Sequence, residues 1–273
     1  MDNVFTQLKR SIRFNRNNKK NEKGLKQQGF RGTILNTNPP FNVVEAYKSL
    51  RYNIRFVLST KNKNSFVISS PYQGDGKSTV LANTAISIAQ ANEKVLLIDM
   101  DLRRPSVHRL FKIKNKAGVS NIIGDKQKLD QVIHRNVIPN LDVLTAGTLP
   151  PNPSEMVSSA KTKEIVEWAE ANYDYVLIDA PPVNVVSDAL ALADLTAGVV
   201  LVVRAGTTHR EDLQRAVENV QFTNSELLGV VLNTADPEAS KKQKMKSGYG
   251  YGYGYNYNYN YNQGYSLEEG EQN

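Results

Sequence analysis

The chain reads as an α/β protein, a mostly parallel sheet with helices on both faces. Three observations predict this. Short apolar runs alternate with helix-patterned stretches through the middle of the 273 residues, the signature of βαβ units. Runs such as Val95-Leu96-Leu97-Ile98 and Tyr175-Val176-Leu177-Ile178 are apolar without a break, as strands covered on both faces are. The first run, Phe66-Val67-Ile68, leads through a glycine-bearing turn into a helix pattern from Val80 to Ala91.

Taken in order, residues 1–40 are basic, polar and rich in Asn and Gln. Their composition predicts a mostly disordered arm with a short helix over 3–12. In 42–59, Val43, Ala46, Tyr47, Leu50, Ile54, Val57 and Leu58 recur at helical spacing. Strands are predicted over 65–69, 94–99, 141–145, 174–179, 198–203 and 227–232. Helices are predicted over 78–91, 106–111, 118–123, 154–172, 187–193 and 209–222. Crossovers between parallel strands should be right-handed. The pattern stops near Ala235, which divides the chain into an arm (1–40), a central domain (41–235) and a tail (236–273).

Composition bounds the function. There is no cysteine, so no disulfide framework and no thiolate metal site. His108, His134 and His209 lack ligand spacing. No apolar run approaches the roughly 20 residues of a membrane span, and the N-terminus lacks the core of a signal peptide. A cytoplasmic protein is expected. The net charge of +7 is unevenly placed: basic residues crowd the first 40 positions, and Lys241, Lys242, Lys244 and Lys246 form a second run near the end. Such flanks are either solvated arms or contacts for anionic lipid or an acidic partner. They lack ordered aromatic interleaving, so nucleic acid is not an expected partner.

The turn reads Gly74-Asp75-Gly76-Lys77-Ser78-Thr79. Glycines let backbone N–H groups curl inward around phosphate, the lysine meets the outer phosphates, and the next hydroxyl suits Mg²⁺. Pro71 stands where the usual first glycine falls. Two further strand patterns end in carboxylates, one in Asp99 and Asp101 and the other in Asp179. Strand ends in a parallel sheet share one rim, where ligands bind. These groups therefore converge on one Mg–phosphate, unless the three aspartates are only helix caps or turn formers.

Residues 248–265 read GYGYGYGYNYNYNYNQGY. Tyr249, Tyr251, Tyr253, Tyr255, Tyr257, Tyr259, Tyr261 and Tyr265 are separated mainly by Gly and Asn, which disfavour helix. One reading is a self-associating β-edge, since alternate residues share a strand face. The other is a phosphoacceptor tail, a reading favoured by the phosphate-handling site in the same chain. A flexible tail of about 30 residues spans about 30 Å, enough to reach a touching subunit.

The segments SPYQGDGKST (70–79), VLLIDMDLRRP (95–105) and YVLIDAPP (175–182), with the tyrosine tail, resemble the bacterial tyrosine kinases. More narrowly, the chain resembles the stand-alone kinases of capsular and exopolysaccharide clusters in Gram-positive bacteria. The resemblance covers roughly residues 40–265 and implies a P-loop NTPase fold related to MinD and ParA. It implies ATP and Mg²⁺, with Gly74, Asp75, Gly76, Lys77, Ser78, Thr79 and Asn233 on the nucleotide, Asn233 near the adenine. By the same resemblance Lys77, Asp99, Asp101 and Asp179 are catalytic, Asp99 as the base nearest the phenol. Ser78, Asp99, Asp101 and Asp179 would be the metal set, and the eight tail tyrosines the acceptors. The family's Glu-x-x-Arg-x-x-Arg assembly motif reads Glu45, Lys48 and Arg51 here, so one bidentate contact is lost while its charge stays. A homo-oligomeric ring, an octamer, is implied, as are a membrane adaptor of the polysaccharide co-polymerase type and a cognate phosphotyrosine phosphatase. The chain would then sit at the membrane through its partner. The rival readings are a MinD/ParA-like ATPase switch without kinase activity and a nucleotide-bound scaffold. The switch is disfavoured as a sandwich dimer because Tyr72-Gln73 stands where its signature lysine would be.

Overall fold

The structure is a computed structural model and describes residues 12–13, 35, 39–223 and 225–234. The tail tyrosines lie outside the described residues, and so does the helix expected over 3–12, apart from its last residue. The strands are β1 (Ile12–Arg13), β2 (Ser65–Ser69), β3 (Val95–Asp99), β4 (His134–Ile138), β5 (Leu141–Leu144), β6 (Tyr175–Asp179), β7 (Val199–Arg204) and β8 (Leu227–Asn233). The helices are α1 (Phe41–Leu58), α2 (Lys77–Ala89), α3 (Val107–Phe111), α4 (Val119–Ile123), α5 (Leu129–Val132), α6 (Pro153–Val157), α7 (Ala160–Asn172), α8 (Asp188–Leu195) and α9 (Arg210–Phe222).

The sheet runs β1-β8-β7-β2-β6-β3-β5-β4. Every described pairing is parallel except β4 with β5. The period of two in each strand sends alternate side chains to opposite faces. Phe66, Ile68, Leu97 and Leu177 pack with Leu50, Ile54, Val80, Leu81, Ile86 and Leu110 of α1, α2 and α3. Val67, Leu96, Ile98, Val176 and Ile178 pack with Val119, Val157, Ile165, Leu192 and Val217 of α4, α6, α7, α8 and α9. Both faces of the central strands are thus dry, which explains their unbroken apolar sequence. Helix α2 is buried nearly all round because α1 lies over it. Its polar Asn83 is satisfied there, accepting the Leu35 N–H at 2.7 Å and donating to the Tyr47 hydroxyl at 3.0 Å. Leu35, ahead of α1, is thereby buried against the central body.

Two sequence expectations need correction. The single helix expected over 154–172 is two, α6 and α7. Ser159 is extended and its side chain caps α7 by accepting the Thr162 N–H, while the Thr162 hydroxyl donates to the Met156 carbonyl at 2.8 Å. Serine and threonine side chains compete for backbone hydrogen bonds in this way and favour helix caps. The sheet also gains β4, whose polar His134-Arg135-Asn136, the last two exposed, carries no strand pattern. Among the described residues no helix is long and apolar enough to cross a membrane.

Candidate active site

The sheet order sets β2, β6 and β3 side by side, so their C-terminal ends open onto one stretch of rim. Asp99 stands in register with Asp179, and Ile68 of β2 pairs with Asp179 on the other side. The phosphate loop follows β2. Gly74 and Gly76 hold φ of +98° and +93°, where an L side chain is strained. A Cβ on Gly76 would also fall 2.2 Å from Asn233 Nδ2, so this glycine is required twice over.

Lys77 begins α2 and turns back onto the carboxylates. Its Nζ donates to Asp101 Oδ2 at 2.9 Å and Asp179 Oδ1 at 3.1 Å. Ser78 Oγ donates to the other Asp179 oxygen at 2.6 Å. Lys77, Asp101 and Asp179 are all buried. Burial pulls the Lys77 ammonium down, but Asp179 and Asp101 more than offset this and hold it above the ordinary lysine range. Burial likewise lifts the Asp179 carboxyl, against the opposing pull of Lys77.

Asp99 is different. Its Oδ2 accepts the Ser106 and Val107 N–H groups, both at 3.1 Å, and its Oδ1 accepts the Asp101 N–H at 3.2 Å. It ties down the loop that leaves β3. Burial, then the nearby Asp179 charge, push its carboxyl up to about 8. Asp99, expected among the metal donors, has both oxygens on backbone amides in this structure. Among the described residues no three His, Cys, Asp or Glu side chains form a metal cluster. What remains is hard oxygen from Ser78, Asp101 and Asp179. That fits Mg²⁺, which takes one or two carboxylates and fills its sphere with water and phosphate.

The remaining candidates close the loop from outside. Asp75 Oδ2 accepts the Tyr72 N–H at 3.2 Å and its Oδ1 accepts the Thr208 hydroxyl at 2.8 Å. Burial raises its carboxyl too. Asn233 Nδ2 donates to the Asp75 carbonyl at 2.9 Å, which seats the end of β8 on the loop. Thr79 lies in the first turn of α2. Sequence reasoning missed Thr208, which is far away along the chain and has no local signal. It also gave no role to Arg103 or Arg104, although the doubled arginine was a visible signal. Arg103 donates to Asp188 Oδ2 at 2.9 Å and to Ser154 Oγ at 2.6 Å, joining the β3 loop to α6 and α8. Arg104 donates to Gln73 Oε1 at 2.5 Å. Glu45, Lys48 and Arg51 lie on α1, apart from this cluster. Lys48 pairs with Glu45 at 2.8 Å, and Arg51 donates to the Ser87 carbonyl at 2.5 Å.

A family model described as ParA, NUBPL iron-transfer P-loop NTPase, matches residues 61–266. The tyrosine-protein kinase YwqD of Bacillus subtilis is 40% identical over 203 residues, 74% of this chain and 86% of that protein. The crystal structure of the chimerical protein CapA2B2 superposes with a TM-score of 0.69 at 36% identity, covering 75% of this chain and 93% of the other. The kinase domain of the Escherichia coli tyrosine kinase ETK superposes with a TM-score of 0.72 at 30% identity, covering 89% and 93%.

Proposed function

The chain belongs to the bacterial tyrosine kinases, built on a ParA-type P-loop NTPase fold, and from that footing we propose that it phosphorylates the C-terminal tyrosines of a second copy of itself. The observation that carries this reading is one hydrogen-bonded cluster of Lys77, Ser78, Asp101 and Asp179 at the mouth of a glycine loop. Phosphoryl transfer asks for position and charge compensation more than for covalent chemistry.

Lys77 and the amides of Gly74 to Thr79 bind the phosphates of ATP. Ser78, Asp101 and Asp179 would hold Mg²⁺, which would supply charge neutralisation on the phosphate oxygens. Asp99 takes the phenolic proton as attack proceeds. A phenol near pKa 10 yields its proton more readily to a carboxylate whose proton affinity burial and the Asp179 charge raise above the ordinary range. Asp99 Oδ1 accepts a single N–H, so it keeps a lone pair for that proton. Asn233 lies beside the loop, where an adenine contact is in keeping with its position.

The acceptors are Tyr249 to Tyr265 of a neighbouring subunit in a ring, and Glu45, Lys48 and Arg51 form part of the contact. Each phosphate adds about −1.5 to −2 charge, so modification turns a tail that is close to neutral strongly acidic and loosens the ring. A membrane adaptor of the co-polymerase type completes the site, a phosphatase resets it, and the cycle regulates capsular or exopolysaccharide export. With no cysteine, the chain has no thiolate to hold iron–sulfur cargo, which sets it apart from iron transfer.

The test is incubation of the full chain with Mg–ATP, with an adaptor fragment absent and then present, and mass analysis of the tail. Phosphate on the tail tyrosines, lost in Lys77→Met, is expected. Phosphate incorporation in Lys77→Met equal to wild type overturns the proposal. ADP release without phosphotyrosine favours the ATPase switch.

A further inference from the structure

We propose that Arg104, rather than its neighbour Arg103, is the arginine that meets the transferred phosphate, acting within its own subunit. The inference rests on the kinase reading above and names a further residue of that site. The two arginines leave the same loop and are used differently. Arg103 is committed to Asp188, a carboxylate whose side chain is only 1% exposed, and to Ser154. It is a brace between the β3 loop and the helices of one face. Arg104 is fixed at its backbone, where its N–H donates to Asp101 Oδ1 at 3.0 Å. The other oxygen of that carboxylate holds Lys77. From there its guanidinium crosses to the phosphate loop and donates to Gln73 Oε1.

Gln73 immediately precedes Gly74, where the curl of inward-facing amides begins. The amides after it cradle the inner phosphates, so a group poised over Gln73 borders the outer end of the chain of phosphates. The side of the loop matters as well. Arg204, at the end of β7, reaches the Gly74 carbonyl at 3.4 Å. But β7 flanks β2 on the side away from β6 and β3, whereas Arg104 enters from β3, the side of Asp101, Asp179 and Ser78.

Charge points the same way. Lys77 is shared by two carboxylates, so its charge is already engaged before any phosphate arrives. The stretch ahead of the glycines, Tyr72-Gln73, supplies no cation. A guanidinium presents five donors, of which the Gln73 contact uses one, and an arginine supplied in cis is one of the recurring parts of phosphoryl transfer. In the step itself the bond from the terminal phosphorus to the ADP oxygen breaks, its electron pair staying on ADP. The bond from the phenol oxygen forms, and the phenol proton passes to Asp99. Arg104 exchanges no proton; it meets the charge on the phosphoryl oxygens.

The experiment compares Mg–ADP with the Mg complex of β,γ-imido ATP by titration calorimetry on the full chain, in wild type, Arg104→Ala and Arg104→Lys. Arg104→Ala should bind ADP within about twofold of wild type and the imido triphosphate about tenfold or more weakly, the scale of a lost charge-assisted bond. Arg104→Lys should recover part of this, since the charge stays and the fork is lost. Retained ADP binding shows that the variant is folded. The inference is overturned if the preference for triphosphate over diphosphate changes by less than about threefold in Arg104→Ala, or if both ligands weaken alike. A wild-type chain that binds neither nucleotide overturns the proposed function and this inference with it.

Discussion

Replacing Lys77 with Met should unfold the protein more easily as well as silence it. The Lys77 ammonium lies 2.9 Å from Asp101 and 3.1 Å from Asp179, and the three side chains are 11%, 6% and 0% exposed. Methionine keeps the aliphatic stem and deletes the charge between two buried carboxylates. Removing one partner of a buried ion pair costs about 3–5 kcal/mol. At about 2–4 °C per kcal/mol for a domain of this size, Tm should fall by about 6–20 °C. The deficit should depend on pH with a definite sign. Burial already raises the Asp179 carboxyl in the folded state, and Lys77 opposes that rise. Without Lys77 the folded-state pKa climbs further above the unfolded value. A group shifted that way contributes stability that is present below its unfolded pKa and lost as pH rises through the folded one. The Lys77→Met deficit should therefore be larger at about pH 8 than at about pH 5.5, where a proton takes the place of the ammonium. Millimolar Mg²⁺ should restore part of the loss near pH 8, by binding the freed carboxylates. Thermal unfolding followed by near-UV circular dichroism, at both pH values with and without Mg²⁺, reads all of this. A Tm within about 2 °C of wild type at both pH values, or a deficit larger in acid, would refute the reasoning.

Gly74→Ala and Gly76→Ala should differ. Both meet backbone strain of about 1–3 kcal/mol at positive φ, but only Gly76 faces Asn233, at 2.2 Å from an added Cβ, while nothing lies within 4 Å of one on Gly74. Denaturant unfolding should show Gly76→Ala the more damaging, with Asn233→Ala recovering part of that loss and none of the Gly74→Ala loss. Arg103→Ala should destabilise by about 2 kcal/mol, a hydrogen-bonded charge contact discounted for the solvent reaching a side chain that is 37% exposed. A double-mutant cycle with Asp188→Ala should give a coupling of about 1–2 kcal/mol. Additive losses would mean that the brace does not act as a unit.

The centre of this fold was legible because its strands are covered on both faces. Residues 65–69 and 175–179 can afford no polar alternation when helices pack on either side. The edge was not legible for the converse reason. β4 is held by contacts made elsewhere: Arg135 pairs with Asp142 at 2.9 Å and donates to the Tyr173 hydroxyl at 2.6 Å, and Asn140 turns the hairpin at φ +65°. The site divides in the same way. That Lys77, Asp101 and Asp179 meet follows from parallel strand ends sharing one rim, which the sequence pattern carries. Which carboxylate faces which partner does not follow. Asp99 and Asp101 are two apart and would share a face on a continuing strand, but β3 ends at Asp99. The chain turns there, and the Asp101 N–H folds back onto Asp99. Thr208, 133 residues from Asp75, leaves no trace in any local pattern.

That turn gives Asp99 two tasks. Through three backbone N–H groups it holds the segment from Asp101 to Val107, and so it aims Asp101 at Lys77, Arg103 at Asp188 and Arg104 at Gln73. Its own buried carboxyl has the proton affinity of a base. Replacing Asp99 with Asn removes the base and also turns an amide N–H₂ toward donors that need an acceptor, a cost of about 1–3 kcal/mol for each one left unsatisfied. A kinase silenced by that substitution therefore reports two failures at once, and nucleotide affinity separates them. Loss of the base alone leaves ADP binding intact, because no proton moves when a diphosphate binds. A loosened loop weakens it, because the Asp101 carboxylate that positions Lys77 travels with the loop.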